Sequence, residues 1–267
     1  MADADRAAAR EASAERLVDA ARRRRPCRPV RELLPDGTLD DGYEVQKLVH
    51  ARGSQGRRRV GRKVGLTSPA VQAQMGVDTP DFGVLFADMA YGDAQPVPFE
   101  VLLQPRVEAE VAFVLGADLP NADVTGPELL RAVEFVLPAI EIVDSRIADW
   151  DISIFDTVAD NASSGLFVTG GAPRVLHDVE DLGAAEMALT VEGRVVSSGT
   201  GAACLGHPLN AVVWLANVVA ERGEPLRAGE LVLSGSLGPL VPVEAGRTYE
   251  AHITGVGSVR ACFTGAA

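Results

Sequence analysis

The spacing of apolar residues divides the chain into a helical N-terminal part and a longer part made of short strands. Leu17, Val18 and Ala21 lie on one stripe of a helix predicted over residues 3–24, and a second helix is predicted over residues 41–52. The polar, glycine-containing stretch that follows ends the helical pattern. We therefore expect an N-terminal helical segment that ends near residue 59.

From residue 60 onward, short apolar runs alternate with glycine-containing turns. The strands predicted from these runs are residues 60–66, 82–86, 107–115, 136–144, 165–169, 187–196, 230–234 and 248–263. Helices are sparse here: one short helix is expected after Ser68-Pro69, one after Thr125 and an amphipathic one from His207 to Arg222. Strands and helices do not alternate and no period repeats, which disfavours a TIM barrel, a doubly wound sheet and a solenoid. The pattern predicts an α+β fold, a mixed and strongly curved sheet with peripheral helices.

The composition is that of a soluble globular protein with a large core. The chain has 267 residues, of which 47% are hydrophobic and 23% charged, and a fold of this length needs no disulfide or metal for stability. A net charge of −12 repels nucleic acids and anionic membranes. The three cysteines lack metal-ligand spacing, and no apolar run suits a signal sequence or a membrane span. These features predict a cytoplasmic protein with reduced thiols that binds neither nucleic acid nor membrane.

One predicted strand, residues 106–115, carries two acidic residues in apolar surroundings. Glu108 and Glu110 point to the same face, because side chains alternate along a strand. Ala112 and Val114 continue that face and the opposite face is apolar, so both faces are expected to be buried. Two buried carboxylates repel each other unless a cation or hydrogen bonds compensate their charge.

A third carboxylate, Glu141, lies in the apolar strand predicted over residues 136–144. Three carboxylates form a ligand set that favours a hard divalent ion, Mg²⁺ or Mn²⁺ before Zn²⁺, and leave coordination positions open for water and substrate. The alternative is that each glutamate pairs separately with an arginine such as Arg106 or Arg146. The addition of Glu141 to the pair favours a shared metal ion.

Lysine is rare in this chain, which makes Lys63 a candidate for chemistry. Lys47 and Lys63 are the two lysines among 25 basic residues. In its apolar run Lys63 would be desolvated, which favours the neutral form and proton transfer, whereas a nearby carboxylate would act against this. The alternative is that it pairs with a surface acid. Asp81 and two small-residue loops, 160–165 and 234–239, are polar turns next to strands.

Six short motifs follow one another along the chain. They are GRKVGLTS at 61–68, PDFGVL at 80–85, EAE at 108–110, AIEIVDSR at 139–146, DNASSG at 160–165 and SGSLGP at 234–239. Together they resemble the 2-keto-4-pentenoate hydratases, also called 2-hydroxypenta-2,4-dienoate hydratases, of the fumarylacetoacetase-like superfamily. The resemblance runs from about residue 40 to the C-terminus and leaves out the first 30 or so residues.

This resemblance implies a fold, a metal and a set of functional residues. The fold would be a mixed β-roll, with a helical segment of residues 1–59 packed on a catalytic domain of residues 60–267, and the cofactor would be Mg²⁺ or Mn²⁺. Glu108, Glu110 and Glu141 match the metal-ligand positions, Lys63 and Asp81 match the proposed acid–base pair, and Ser163 and Ser236 are candidates for binding the substrate carboxylate.

The implied activity adds water to 2-hydroxypenta-2,4-dienoate, giving 4-hydroxy-2-oxopentanoate, in meta-cleavage degradation of aromatic compounds. The family also implies a homo-oligomer, a pentamer or decamer, and allows a complex with a related decarboxylase or a downstream aldolase. Three alternatives stay open: a 4-oxalocrotonate-type decarboxylase, an acylpyruvate hydrolase and a noncatalytic partner subunit. The two polar loops carry no Lys or Arg for a second carboxylate, and a neutral substrate tail could pack against Leu237, which favours hydration.

Overall fold

The computed structural model describes residues 3–53, 56–68, 72 and 79–265 and has an α+β fold. The helices are α1 (Asp3–Arg23), α2 (Leu39–Gly53), α3 (Gly126–Ala132), α4 (Ile154–Ala159) and α5 (Pro208–Glu221). The strands are β1 (Arg59–Gly65), β2 (Asp81–Phe86), β3 (Ala90–Gly92), β4 (Pro96–Val97), β5 (Arg106–Leu115), β6 (Val133–Val143), β7 (Ser164–Thr169), β8 (Glu186–Val191), β9 (Arg194–Thr200), β10 (Leu231–Leu233), β11 (Val241–Pro242), β12 (Thr248–Ile253) and β13 (Gly257–Phe263). The predicted α+β class and N-terminal helical segment are confirmed.

The strands form two sheets rather than the single sheet that the pattern predicts. One sheet has eight strands, in the order β2-β1-β10-β5-β6-β7-β3 with β11 paired to β5, and the other has five, in the order β4-β13-β12-β8-β9. Most neighbours are antiparallel, but β1 with β10, β3 with β7 and β4 with β13 are parallel, so both sheets are mixed. β2 and β3 lie at opposite ends of the larger sheet, yet only the turn Ala87–Met89 separates them along the chain.

Strand β5 shows how polar side chains come to lie inside the protein. Val107, Val111 and Phe113 belong to the main core, which also contains residues of the five-stranded sheet and of α5. Alternate residues face the other side of the larger sheet, where a second apolar cluster contains Ala112 and Leu233. The strand is buried continuously along most of its length, so the predicted burial of both faces is confirmed.

A third apolar cluster attaches the N-terminal helices to the strands. Leu17 of α1, Val45 of α2 and Phe155 of α4 meet in it. Helix α4 is absent from the sequence prediction because six residues are too few for a periodic apolar pattern. Its start carries a local signal, since the side chain of Ser153 accepts a hydrogen bond from the backbone N–H of Asp156.

Two runs predicted as single strands are β-hairpins. Residues 187–196 cover β8 and the start of β9, which turn at Glu192 and Gly193 with φ of 52° and 76°. Residues 248–263 likewise cover β12 and β13. Such tight turns interrupt the apolar pattern too briefly to be seen in it. Most of the helix predicted after Ser68-Pro69 lies outside the described residues, although Gln72 is helical.

The segment Gly201–Glu221, which ends with α5, is long and apolar enough to cross a membrane by length and composition. Ala211, Val212 and Leu215 of this helix are fully buried in the main core. The segment is therefore a partly buried core helix.

Candidate active site

Three buried carboxylates meet on one face of the eight-stranded sheet. In the antiparallel pair of β5 and β6, Glu108 lies opposite Glu141, and Glu110 is two residues further along β5 on the same face. One oxygen atom of each carboxylate lies within 4.8 Å of the others, and Glu108, the most exposed of the three, is only 7% exposed. The structure thus brings together the three glutamates that were grouped from the sequence.

Burial and mutual repulsion destabilise the charged forms of these glutamates. Burial, followed by repulsion from Glu141, raises the pKa of Glu108 to about 7. Burial and repulsion from both other carboxylates raise the pKa of Glu110 well above its ordinary value. Burial also raises the pKa of Glu141, although the ammonium group of Lys63 opposes this shift. The cluster is therefore short of positive charge.

Lys63 in β1 is the cation that contacts this cluster. Its side chain is 3% exposed, and its Nζ lies 3.1 Å from Glu141 Oε1. The contact is a buried ion pair between the ammonium group and the carboxylate. Burial alone would lower the pKa of Lys63, but the surrounding carboxylates, Glu141 first, raise it above its ordinary value. The alternative of a pairing with a surface acid is wrong.

Asp81 begins β2 and lies close to Lys63, because Gly65 leaves room for both side chains. A Cβ atom on Gly65 would lie 2.2 Å from Asp81 Oδ1 and 3.3 Å from Lys63 Nζ. Thr157 Oγ1 donates to Asp81 Oδ2 at 3.4 Å, whereas the buried Oδ1 has no hydrogen-bond partner. Burial raises the pKa of Asp81, and Lys63 and Thr157 oppose the shift. One carboxylate oxygen of Asp81 is thus available to a proton.

The two serines singled out in the sequence lie near different parts of the cluster. Ser163 is 3% exposed, and its Oγ lies 3.4 Å from Thr157 Oγ1, the hydroxyl that also contacts Asp81. Ser236 is half-buried, and its hydroxyl lies beside Glu108, where it opposes the rise in that carboxyl's pKa. Sequence reasoning missed Thr157, because a single threonine in a short helix has no distinguishing pattern.

The arginines considered as separate partners of the glutamates are engaged elsewhere. Arg146 Nε donates to Asp160 Oδ1 at 2.5 Å, and its Nη1 donates to two backbone carbonyls. The guanidinium of Arg106 lies 4.5 Å from the centre of the Trp150 ring. Neither arginine therefore neutralises a glutamate of the cluster.

The residues present fit a divalent cation. Glu110 Oε1 and both carboxylate oxygens of Glu141 are buried without hydrogen-bond partners, while the N–H of Gly235 donates to Glu110 Oε2 at 2.7 Å. Buried oxygens without partners are unfavourable, and a cation would remove that cost. An all-oxygen donor set matches the preference of Mg²⁺ and Mn²⁺. The three glutamates could therefore hold a metal ion.

Comparison with known proteins identifies the family. The model of the fumarylacetoacetate (FAA) hydrolase C-terminal family matches residues 56–264. The 2-keto-4-pentenoate hydratase of Paraburkholderia xenovorans is 54% identical over 255 residues, which cover 95% of this chain and 94% of that protein. The chain belongs to the 2-keto-4-pentenoate hydratase family.

Solved structures related to this hydratase-family chain contain divalent metals. The 4-oxalocrotonate decarboxylase of Pseudomonas putida G7, complexed with magnesium and adipate, has a TM-score of 0.90 at 38% identity and covers 95% of this chain and 97% of its own. The fumarylpyruvate hydrolase of Pseudomonas aeruginosa, in complex with Mn²⁺ and pyruvate, has a TM-score of 0.62 at 17% identity, with coverages of 78% and 90%. The second likeness shows a common fold alone.

Replacing Glu110 with Gln should weaken metal binding and stabilise the metal-free protein. Gln keeps the side-chain shape and an acceptor for the N–H of Gly235 but removes one buried charge. We expect Mn²⁺ affinity, measured by titration calorimetry, to fall by about tenfold or more. The melting temperature without metal should stay equal or rise.

Glu134→Gln, at an exposed position near the start of β6, is the matched control and should change neither quantity. Parental Mn²⁺ affinity in Glu110→Gln would mean that the metal binds elsewhere.

Proposed function

We propose that this protein adds water to 2-hydroxypenta-2,4-dienoate to form 4-hydroxy-2-oxopentanoate, a step in meta-cleavage degradation of aromatic compounds. The observation that carries the proposal is the buried cluster of three glutamates with Lys63 and Asp81 beside it. This cluster lies in a chain that is 54% identical, over nearly its whole length, to a 2-keto-4-pentenoate hydratase. A metal-binding position next to proton-transfer groups suits a hydro-lyase that acts on 2-oxo acids.

We infer that Glu108, Glu110 and Glu141 hold one Mg²⁺ or Mn²⁺ ion. The proximity of their oxygens and the lack of hydrogen-bond partners at Glu110 and Glu141 support this inference. The magnesium complex of the 38% identical decarboxylase supports the choice of a hard divalent metal. When bound, the ion supplies a Lewis acid that polarises the 2-oxygen of the substrate.

The proton transfers fall to Lys63 and Asp81. The proton of the 2-hydroxyl is lost and C5 gains a proton as the dienol becomes a 2-oxo-3-enoate, and water then adds across C3 and C4, with its hydroxyl at C4 and a proton at C3. Asp81 Oδ1 is buried and unpartnered, so it accepts the proton of the attacking water, while Thr157 holds Oδ2. Lys63 Nζ donates the proton that C5 gains. Ser163 and Ser236 donate hydrogen bonds to the substrate carboxylate.

The charges around the cluster favour a substrate with one carboxylate over the dicarboxylate of a decarboxylase. Arg62, next to Lys63 in β1, points to the opposite face of the strand and pairs with Glu224 at 2.8 Å, and Arg146 pairs with Asp160 at 2.5 Å. Residues 69–78, most of which lie outside the described part of the chain, contain no Lys or Arg in their sequence. A second substrate carboxylate would therefore compete with carboxylates of the protein for these cations.

The apolar part of the proposed pocket differs from the sequence prediction. Leu237 is predicted to contact the substrate tail, but the structure buries it fully in the main core. Phe167 lies opposite Glu141 in the pairing of β6 with β7, and Leu233 belongs to the same apolar cluster as Phe167. Both residues are also buried, but they lie opposite Glu141 and Lys63 on the face of the sheet that carries the site, whereas Leu237 belongs to the core on the other face. They are therefore better placed than Leu237 to pack against a vinyl tail.

Further properties follow from the same observations. A strongly curved roll is supported by the single turn that joins β2 to β3, at opposite ends of the larger sheet. A helical segment of residues 1–59 on a catalytic domain of residues 60–267 is supported by the separate cluster beneath α1 and α2 and by a family match that begins at residue 56. We propose a cytoplasmic homo-oligomer, a pentamer or decamer, able to associate with a related decarboxylase or a downstream aldolase.

The proposed function is tested by product analysis on two substrates. With Mg²⁺, the purified protein should convert 2-hydroxypenta-2,4-dienoate to 4-hydroxy-2-oxopentanoate, as followed by NMR, and a chelator should stop the conversion. The dicarboxylate 2-oxohex-3-enedioate should release little or no CO₂. Rapid CO₂ release without a hydration product would identify a decarboxylase instead, and inertness toward both substrates would favour a noncatalytic subunit.

Replacing Lys63 with Arg separates charge from proton transfer. Arg keeps the positive charge next to Glu141 but does not give up a proton at working pH. We expect kcat to fall by roughly a hundredfold or more, the scale of losing a general acid or base. Lys47→Arg, at an exposed position in α2, is the matched control and should be parental. Turnover of Lys63→Arg near the parental level would restrict Lys63 to an electrostatic role.

A further inference from the structure

The turn between α4 and β7 has an unusual backbone. Asn161, Ala162 and Ser163 are consecutive, none is glycine, and their φ angles are 56°, 51° and 54°. Residues other than glycine visit this left-handed region singly, because Cβ then crowds the backbone, although Asn tolerates it better than most. Strain of this kind persists only where the surroundings hold it, and it is concentrated at functional sites.

One of the contacts that hold the turn comes from the Asn161 side chain. Its Oδ1 accepts a hydrogen bond from the N–H of Val84 at 2.8 Å, and its Nδ2 donates to the carbonyl of the same residue at 2.9 Å. Val84 lies in β2, the strand at the edge of the larger sheet. The amide therefore makes the backbone hydrogen bonds that a neighbouring strand would otherwise make there. The turn also packs tightly against Gly83, where a Cβ atom would lie 2.4 Å from the carbonyl oxygen of Asn161.

A second contact holds the two ends of the turn from the opposite side. Arg146 donates to the carbonyl of Ser164 at 2.7 Å and also to the carbonyl of Asp160. The N–H of Asp144 donates to the carbonyl of Ser163 at 2.8 Å. The turn is therefore fixed at both flanks by the end of β6, and Asn161 fixes it against β2.

This arrangement fixes the position of the Ser163 side chain. Its hydroxyl lies 3.4 Å from Thr157 Oγ1, which in turn lies 3.4 Å from Asp81 Oδ2. Asp81 is at the start of β2, three residues before the strand position that Asn161 binds. The Asn161 amide thus couples the strand of the proposed proton-transfer group to the turn that presents the serine.

We propose that Asn161 is a positioning residue, whose amide holds the left-handed turn on β2 and so sets the distance of Ser163 from Asp81. This inference rests on the proposed function, in which Ser163 contacts the substrate carboxylate. Asn161 itself does not touch the substrate. Its loss moves the hydroxyl of Ser163 while leaving the glutamates on β5 and β6 in place.

The test compares two glycine substitutions in the same turn. Asn161→Gly removes the amide side chain and frees the backbone of that residue, whereas Ala162→Gly frees the backbone of the next residue and keeps the amide. We expect kcat/KM of Asn161→Gly to fall by roughly ten- to a hundredfold, the scale of a misplaced contact, with Mn²⁺ affinity at the parental level. Ala162→Gly should keep parental kinetics and an equal or higher melting temperature.

A double-mutant cycle with Ser163→Ala decides whether Asn161 acts through the serine. Asn161→Gly should change KM and kcat in the same proportion as Ser163→Ala does. The kcat/KM of the double variant should lie within about twofold of that of Ser163→Ala. If Asn161→Gly only lowers the melting temperature, with parental kinetics in the folded protein, the inference is overturned and the residue is structural. The inference is also overturned if the losses of kcat/KM in the two single variants multiply in the double variant.

Two further outcomes separate this inference from the proposed function. Parental kinetics in Ser163→Ala would refute the role of the serine in substrate binding, and the positioning claim would fail with it. An impaired Ser163→Ala with a parental Asn161→Gly would refute the positioning claim alone. If Asn161→Gly does not fold, Asn161→Asp replaces it in the cycle, since it keeps the acceptor for the N–H of Val84 but loses the donor to its carbonyl.

Discussion

Negative charge buried beneath the larger sheet is the constraint on which the rest of this structure depends. Glu108, Glu110, Glu141 and Asp81 are at most 7% exposed, and Lys63 supplies one positive charge among them. An unpaired carboxylate in a protein interior is destabilising by several kcal/mol, and like charges side by side add to this. The raised pKa values of all four carboxyl groups express the same imbalance. Such a cluster does not stabilise the fold by itself and is suited to holding a cation.

The strands give this site its rigidity. Register between β5 and β6 sets Glu108 opposite Glu141, and the pairing of β1 with β2 sets Gly65 opposite Asp81. Groups that are placed by strand pairing keep their distances better than groups carried by loops. The missing side chain of Gly65 is what lets Asp81 lie next to Lys63. The proposed metal ligands and proton-transfer groups therefore come from two pairs of neighbouring strands in one sheet, β5 with β6 and β1 with β2.

Local patterns allowed part of this site to be predicted. Alternation along β5 was enough to put Glu108 and Glu110 on one buried face, since a period of two is a property of the strand itself. The partner of Lys63 and the contact of Thr157 with Asp81 were not predictable in this way, because the residues of the latter contact are 76 positions apart in the chain. The motif DNASSG is visible in the sequence, but the hydrogen bonds of Asn161 to Val84 in β2 depend on tertiary packing that no local pattern encodes. The metal could be predicted from the three carboxylates in apolar strands, whereas the substrate depended on the combination of motifs.

The most direct test of the account is the position of a bound Mn²⁺ ion in crystals of the protein, located by its anomalous scattering. We predict one strong anomalous-difference peak enclosed by the carboxylates of Glu108, Glu110 and Glu141, with Lys63 still in contact with the cluster. A peak at another site, or no peak between these carboxylates at saturating Mn²⁺, would contradict it.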